Sequence, residues 1–267
     1  MLFDTVPMSL SLVDSHCHLD RLDLAPYPDG MDGVLAAARE QGVSDVLCVC
    51  INWENFPAVR ALAQQHAHVY ATVGVHPNDD EGHEPSLDEL VAAAQTPKII
   101  GIGETGLDYY RSEGDLAWQH ERFRRHIQAA RAVDKPLVVH SRDAQADTIR
   151  ILREEGADAV GGIMHCFVDD WDTAAQALDL GFHISFSGII TFNNAVQVRE
   201  VAARVPDDRL LVETDAPYLA PMPYRGKPNY PAYVRHVAER LATVRGTTVE
   251  AIAALTSANF FRLFRLA

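Results

Sequence analysis

Val13-Asp14-Ser15-His16-Cys17-His18, near the start of the chain, decides how the rest is read. An apolar run passes directly into two histidines spaced two residues apart. On an extended chain such residues point to one side while the residue between them points away. The segment reads as a strand, Leu12–His16, with His16 and His18 on one face at its carboxyl end. The arrangement recurs further along. The strand Ile99–Gly103 runs into Glu104, Leu137–His140 ends on a histidine, Gly162–His165 ends on another, and Leu210–Glu213 leads to Asp215.

Three more β-branched runs, Asp45–Ile51, Val69–Val75 and His183–Ser187, bring the strands to eight. Amphipathic stretches alternate with them at Met31–Gln41, Asn55–Gln65, Leu116–Val133, Gln145–Glu155, Thr173–Leu180, Asn194–Arg204 and Pro231–Arg245, and Val249–Phe264 closes the chain. Strands alternating with helices imply right-handed βαβ units and a parallel sheet. At 267 residues, with no linker rich in Pro, Gly or Ser, the expected fold is α/β, a single-domain (β/α)8 TIM-like barrel over residues 1–267. A doubly wound open sheet is the alternative. It is disfavoured because no Gly-rich phosphate loop follows the first strand.

In a barrel the carboxyl ends of all strands converge on one mouth, where active sites of this fold lie. The mouth would gather His16, His18, Glu104, His140, His165 and Asp215. Taken singly, a histidine after an apolar strand is more often a hydrogen-bonded polar residue than a ligand. Six such groups on the same ends of five strands are a different matter. Four imidazoles and two carboxylates suit two divalent ions, with one carboxylate shared and an open position for water on each. Such mixed donor sets accept zinc, manganese and cobalt, and magnesium less readily. Asp215 is suited both to ligate and to accept the proton of an attacking water. No serine offers an alternative nucleophile: Ser15, Ser141 and Ser187 lack a triad context.

The remaining histidines do not share the pattern. His183 opens a strand, His66 and His68 precede one, and His120, His126 and His236 fall on helices, where they read as surface or packing residues. His76, in Gly-Val-His-Pro, faces the mouth, where substrate contact and a loop-fixing hydrogen bond are both open to it. Arg142 and Arg225, in loops at the mouth, are candidates to hold phosphate through paired N–H donors. Tyr109, Tyr110, Phe167 and Tyr218 lie beside ligands and offer faces for base stacking, with packing the better reading for Phe167.

Charge and cysteine content bound the function. With 23 Lys and Arg against 37 Asp and Glu, the formal net charge is −14, and the pI is about 5.2. That balance argues against a protein that coats nucleic acid through a basic surface, although bound cations supply local positive charge. The four cysteines, Cys17, Cys48, Cys50 and Cys166, form neither a zinc pair nor a disulfide framework. Cys48 and Cys50 read as two thiols on one face of a strand. Met1 to Leu12 shows no signal-peptide pattern, Met8 is an alternative start, and no apolar run has the length of a membrane span. These features point to a cytoplasmic location with reduced thiols.

At the mouth residues the sequence resembles the TatD-family metal-dependent deoxyribonucleases, within the amidohydrolase-like barrel superfamily. The matching segments are Val-Asp-Ser-His16-Cys-His18-Leu-Asp, Gly-Val-His76-Pro, Gly-Glu104-Thr-Gly-Leu-Asp-Tyr, Val-His140-Ser-Arg-Asp-Ala, His165-Cys-Phe, Glu-Thr-Asp215-Ala-Pro-Tyr-Leu and Arg225-Gly-Lys. They run in order over nearly the whole chain, and the ordered set is highly specific. The resemblance implies one metal held by His16, His18, Glu104 and Asp215, and a second held by Glu104, His140 and His165. It also implies a phosphodiester substrate, usually DNA, attacked in the manner of an exonuclease. One departure lies after Arg225-Gly-Lys, where relatives often carry Asn, then Glu or Gln, then Pro. Here the run is Pro228-Asn229-Tyr230-Pro231, which bears on substrate contacts and on no metal ligand.

Superfamily members that hydrolyse amides and lactones often bridge their metals with a carbamylated lysine at the end of strand four. Glu104 holds that position here, and Lys98 and Lys135 precede their strands. The leading expectation is a nuclease acting on the end of single-stranded DNA. The alternative is a metal-dependent amide or ester hydrolase, such as an aminoacyl-tRNA deacylase, in which the metals polarise a carbonyl oxygen. A metal-binding scaffold without turnover is the third reading, and a complete ligand set with a water-activating carboxylate speaks against it.

Overall fold

Short apolar runs such as Val46-Leu-Cys and Leu137-Val-Val suit strands buried on both faces, and they take that place in a computed structural model that describes residues 10–266. Met8 lies outside the described residues. Eight strands follow one another in sequence order in one parallel sheet: β1 (Leu12–Cys17), β2 (Val43–Cys48), β3 (Val69–Val73), β4 (Ile99–Asp108), β5 (Leu137–Arg142), β6 (Gly162–Met164), β7 (Phe182–Phe186) and β8 (Leu210–Val212). Between them lie α1 (Gly30–Glu40), α2 (Phe56–Gln65), α3 (Leu87–Ala94), α4 (Ala117–Val133), α5 (Gln145–Glu154), α6 (Trp171–Asp179) and α7 (Val196–Arg204). After β8 come α8 (Val234–Arg245) and α9 (Val249–Leu263). The fold is the expected barrel. No helix of the described residues is long and apolar enough to cross a membrane.

The seam between β1 and β8 is closed mainly by other means than a ladder. A single parallel bridge joins Cys17 and Ala216. Beside it, Asp215 N–H donates to the His16 carbonyl at 2.9 Å and His18 N–H to that of Ala216 at 2.7 Å. Asp14, fully buried, accepts from Thr214 N–H at 2.8 Å and from the Thr214 hydroxyl at 2.6 Å. The side chain thus stands in for missing backbone pairing, and both ends of the seam carry mouth residues.

Two cores result. One lies between the strands and the surrounding helices. In the other, Val13, Leu47, Val138, Ile163 and Leu211 pack against Phe260 and Phe264, around the α9 end of the chain. Val13, Ile163 and Leu211 fall near the starts of their strands, so this second cluster fills the amino-terminal end of the barrel. The opposite end is left for chemistry.

Two elements depart most from expectation. α3 escaped the helical reading although Ser86 and Glu89 form a capping box at its start, each side chain bonded to the other's backbone N–H. β4 continues five residues beyond Gly103, the expected end of the strand. A register shift between Ile102 and Thr105 places an extra residue opposite β5, so Glu104 sits in a bulge. Gly106, at φ +137°, makes the continuation feasible, because a Cβ there would lie 2.0 Å from the His140 carbonyl oxygen.

His126 illustrates a packing histidine with a measurable consequence. It is fully buried on α4, with Nδ1 donating to the Arg122 carbonyl at 2.9 Å and Nε2 accepting from Val75 N–H at 3.0 Å. A second ring proton would face that N–H. Burial lowers its pKa from 6.5 to about 4, against the bond to the Arg122 carbonyl, which favours the charged ring. The unfolded chain takes up this proton first as pH falls, so the contribution is intact above 6.5 and is lost between 6.5 and about 4. It amounts to about 3 kcal/mol. In denaturant titrations the stability gap between the natural chain and His126→Gln should narrow by that amount between pH 7 and pH 4. A constant gap would contradict the assignment.

Candidate active site

The bulge at Glu104 turns its carboxylate into the mouth, where it is 3% exposed and surrounded by imidazoles. Its two oxygens face different partners. Oε2 lies 3.3 Å from His16 Nε2 and 3.8 Å from His18 Nε2. Oε1 lies 3.2 Å from His140 Nδ1 and 2.9 Å from His165 Nε2. Asp215 completes the first set, with Oδ1 at 3.6 Å from His16 Nε2 and 3.4 Å from His18 Nε2. Asp215 has φ +57°, a left-handed conformation that Asp tolerates better than most residues. The structure therefore brings together all six groups expected at the mouth, divided by Glu104 into two sets.

Behind these groups stand carboxylates that the sequence reading had not assigned. Asp108 Oδ2 accepts from His140 Nε2 at 3.0 Å, and Glu213 Oε1 accepts from His165 Nδ1 at 3.2 Å. His18 Nδ1 donates instead to the Val49 carbonyl at 3.0 Å, and His16 Nδ1 has no hydrogen-bond partner among the described residues. Burial opposes charge on Glu104, but His165, His76 and His16 outweigh it and hold the carboxyl well below its usual range. Burial likewise disfavours a charged His165, yet Glu104 and Glu213 raise its pKa well above the ordinary value. Asp108 sat in the quoted Gly-Leu-Asp-Tyr and Glu213 two residues before Asp215. That was signal for their location and not for their partners.

The other expected contacts spread around the mouth. His76 Nε2 points at Glu104 Oε1 from 3.3 Å while its Nδ1 accepts from Asn78 N–H at 3.0 Å, so it both faces the centre and fixes its loop. Arg142 is the last residue of β5 rather than a loop residue, and its guanidinium lies over the exposed Tyr110 ring at 3.8 Å. Arg225, exposed, lies over the Phe192 ring at 4.4 Å. Tyr109 is held away from the imidazoles: its hydroxyl donates to Asp147 at 2.7 Å and lies 2.6 Å from His120 Nε2. Tyr218 is half exposed beside His18, with ring centroids 6.0 Å apart, and Phe167 is buried in the core. In the departing segment, Asn229 Nδ2 donates to the carbonyls of Thr214 and Tyr218, so it ties down the loop that carries Asp215.

The serines are engaged elsewhere. Ser15 donates to the Val212 carbonyl, Ser141 pairs with Thr148, and Ser187 with Cys166. All four cysteines are free thiols. Cys50 lies beyond the end of β2 rather than on it with Cys48, and burial pushes its thiol up to about 12. Lys98 and Lys135 bond backbone carbonyls at the starts of strands, away from the mouth.

The donor chemistry suits divalent cations. His16 Nε2 and His18 Nε2 lie 3.3 Å apart, and His140 Nδ1 and His165 Nε2 3.4 Å apart, each pair aimed at carboxylate oxygens. Ligand atoms of His16, His18 and Glu104 lie within 4.8 Å of one another, as do those of His76, Glu104 and His140. Buried imidazoles converging on anionic oxygens are what a cation organises.

Comparison with known proteins agrees with this chemistry. A family profile described as TatD related DNase matches residues 13–265. The metal-dependent hydrolase YcfH of Escherichia coli K12 is 48% identical over 256 residues, covering 96% of each chain. A Salmonella typhimurium protein named 3'-5' ssDNA/RNA exonuclease TatD is 34% identical over 252 residues, covering 92% of this chain and 96% of its own. Among solved structures, the TatD homologue YJJV of Escherichia coli K12 superposes with a TM-score of 0.87 at 30% identity, covering 96% of this chain and 98% of its own. The chain belongs to the TatD-related DNase family and is a metal-dependent hydrolase of that family.

Proposed function

We propose that the protein is a two-metal nuclease that releases nucleotides stepwise from the end of single-stranded DNA. The observation that carries the reading is the division of labour on Glu104, whose two oxygens address separate histidine pairs. His16, His18, Glu104 and Asp215 would hold one ion, and Glu104, His140 and His165 the other. Bound there, divalent ions supply Lewis acidity toward a phosphoryl oxygen and acidify the attacking water. Asp215, with 13% of its side chain exposed against 3% for Glu104, would take the water's proton. Arg142 and Arg225 would hold phosphate oxygens, and the exposed rings of Tyr110 and Tyr218 offer faces for terminal bases. His76 would contact the scissile group beside Glu104. The relative named as an exonuclease on single-stranded DNA and RNA supports the substrate class. The acidic chain lacks the broad basic surface of a protein that tracks along a duplex.

Chelation should abolish activity, and added manganese or magnesium should restore it. End-labelled linear strands and closed circular single strands provide the substrate test. A ladder from linear DNA beside intact circles is the expected result. Equal cutting of circles would make the enzyme an endonuclease. No cutting beside rapid hydrolysis of acylated amines or aminoacyl esters would replace the nuclease reading altogether.

A further inference from the structure

The two halves of the centre are supported differently. The two expected ligands that face Glu104 Oε1 present their far nitrogens to buried carboxylates, His140 to Asp108 and His165 to Glu213, whereas the far nitrogen of His76, the third imidazole on that oxygen, accepts from Asn78 N–H. On the other side, His18 leans on a backbone carbonyl and His16 Nδ1 meets no partner among the described residues. Glu213 stands near the His16 ring as well, so Asp108 isolates the effect more cleanly.

Asp108 is 1% exposed and fully subscribed. Its Oδ1 accepts from Tyr110 N–H at 3.0 Å and Arg111 N–H at 2.9 Å, and its Oδ2 accepts from Asn78 Nδ2 at 2.9 Å and His140 Nε2 at 3.0 Å. Gln119, on the buried face of α4, grips the same residue, accepting from Asp108 N–H at 3.0 Å. An ionised carboxylate has no proton to give, so His140 must carry its proton on Nε2. The Nδ1 lone pair is then left toward Glu104, 3.2 Å away. We propose that Asp108 is a positioning residue that selects the metal-binding tautomer of His140, and that Glu213 strengthens His165 as a ligand by its charge. The inference rests on the two-ion reading above and assigns the dependence to the His140 and His165 side alone.

The two carboxylates differ in what an amide would do. In Asp108→Asn the two backbone N–H groups claim the amide oxygen, so the NH2 group takes the place of Oδ2. There it donates to His140 Nε2 and drives the ring proton onto Nδ1, the wrong atom for ligation. The reverse orientation would set NH2 against two backbone donors. In Glu213→Gln the oxygen can stay with His165 Nδ1 and Cys166 N–H, because Glu213 Oε2 has no partner and the NH2 group can occupy its place. Only the charge is lost.

The test is a Zn²⁺ titration of the metal-free full chain against a competing chelator, with His140→Ala identifying the second ion. D108N should weaken that ion by about 10- to 100-fold, the usual effect of removing a partner behind a metal-bound histidine. E213Q should weaken it by less, and the first ion should hold its affinity in D108N. Asp108→Ala lacks a competing amide and should bind the second ion better than D108N, although it removes more structure. Mn²⁺-loaded protein gives an independent readout: an exchange-coupled pair signal in the natural chain, replaced by a mononuclear signal in D108N at equal loading. Melting of the metal-free variants checks that they fold. If the natural chain binds a single ion, the two-ion reading itself fails. If it binds two and D108N matches it, weakens both ions alike, or is no worse than E213Q and Asp108→Ala, the positioning role is overturned.

Discussion

Glu104→Gln is expected to lower the affinity of both metal ions and to remove nearly all turnover, a larger loss than any other single change at the mouth. Glu104 is the one carboxylate whose two oxygens face both histidine pairs, within 3.8 Å of all four of their facing nitrogens and also of His76 Nε2. The amide keeps the shape and removes the charge, and one of its two ends then presents an NH2 group, which has no lone pair to ligate with, where an oxygen faced a histidine pair. Changing an outer partner of a metal ligand typically costs 10- to 100-fold in affinity, so loss of the shared ligand should cost at least about 100-fold at each site. His165→Ala serves as the comparison. Of the two Glu104 oxygens its Nε2 approaches Oε1, beside His140 Nδ1, so it should chiefly empty one site. Metal content after dialysis, measured on both variants with turnover on linear single strands, decides the matter. Two ions tightly retained by Glu104→Gln would show that the residue does not bridge.

Asp215→Asn should leave substrate binding nearly intact while lowering kcat by about 10²- to 10⁴-fold, the range removed with a general base. The substitution suits the site, since Asn shares the tolerance of Asp for the left-handed backbone found there. The loop is also held from behind by Asn229 and by the Thr214–Asp14 contacts, none of which uses the Asp215 carboxylate. Burial opposes its charge, but the bond from His18 and the neighbouring histidines keep the carboxyl below its ordinary range, ionised and ready to accept a proton. Asparagine remains a weak ligand and no base at all. Assays at saturating Mn²⁺, with metal content determined in parallel, separate the two roles. A fall of less than about tenfold in kcat with both ions bound would remove Asp215 from proton transfer.

Much of this site was legible in the chain because its signals are local. An apolar run followed by a polar residue marks the carboxyl end of a strand, and five such ends supplied His16, His18, Glu104, His140, His165 and Asp215. Parallel strands in a ring must bring those ends to one mouth, so the pattern implied convergence before any coordinates. The Ser86–Glu89 capping box was equally local, and α3 was readable from it.

What only the folded ring decided are pairings between distant residues. Asp108 and His140 are 32 positions apart, Glu213 and His165 are 48 apart, and Asp14 closes the seam with Thr214 across 200. Hydrogen bonds of that kind depend on register and bulges, which carry no periodic trace in the sequence. The bulge in β4 is the instructive case: the strand reads as ending at Gly103, yet close approach of Gly106 to the His140 carbonyl lets it run on to Asp108. Residue types and strand ends thus determined which groups meet at the mouth. Which oxygen of Glu104 faces which imidazole, and which carboxylate holds each ring from behind, required the closed barrel, because only closure brings those backbones within hydrogen-bonding distance.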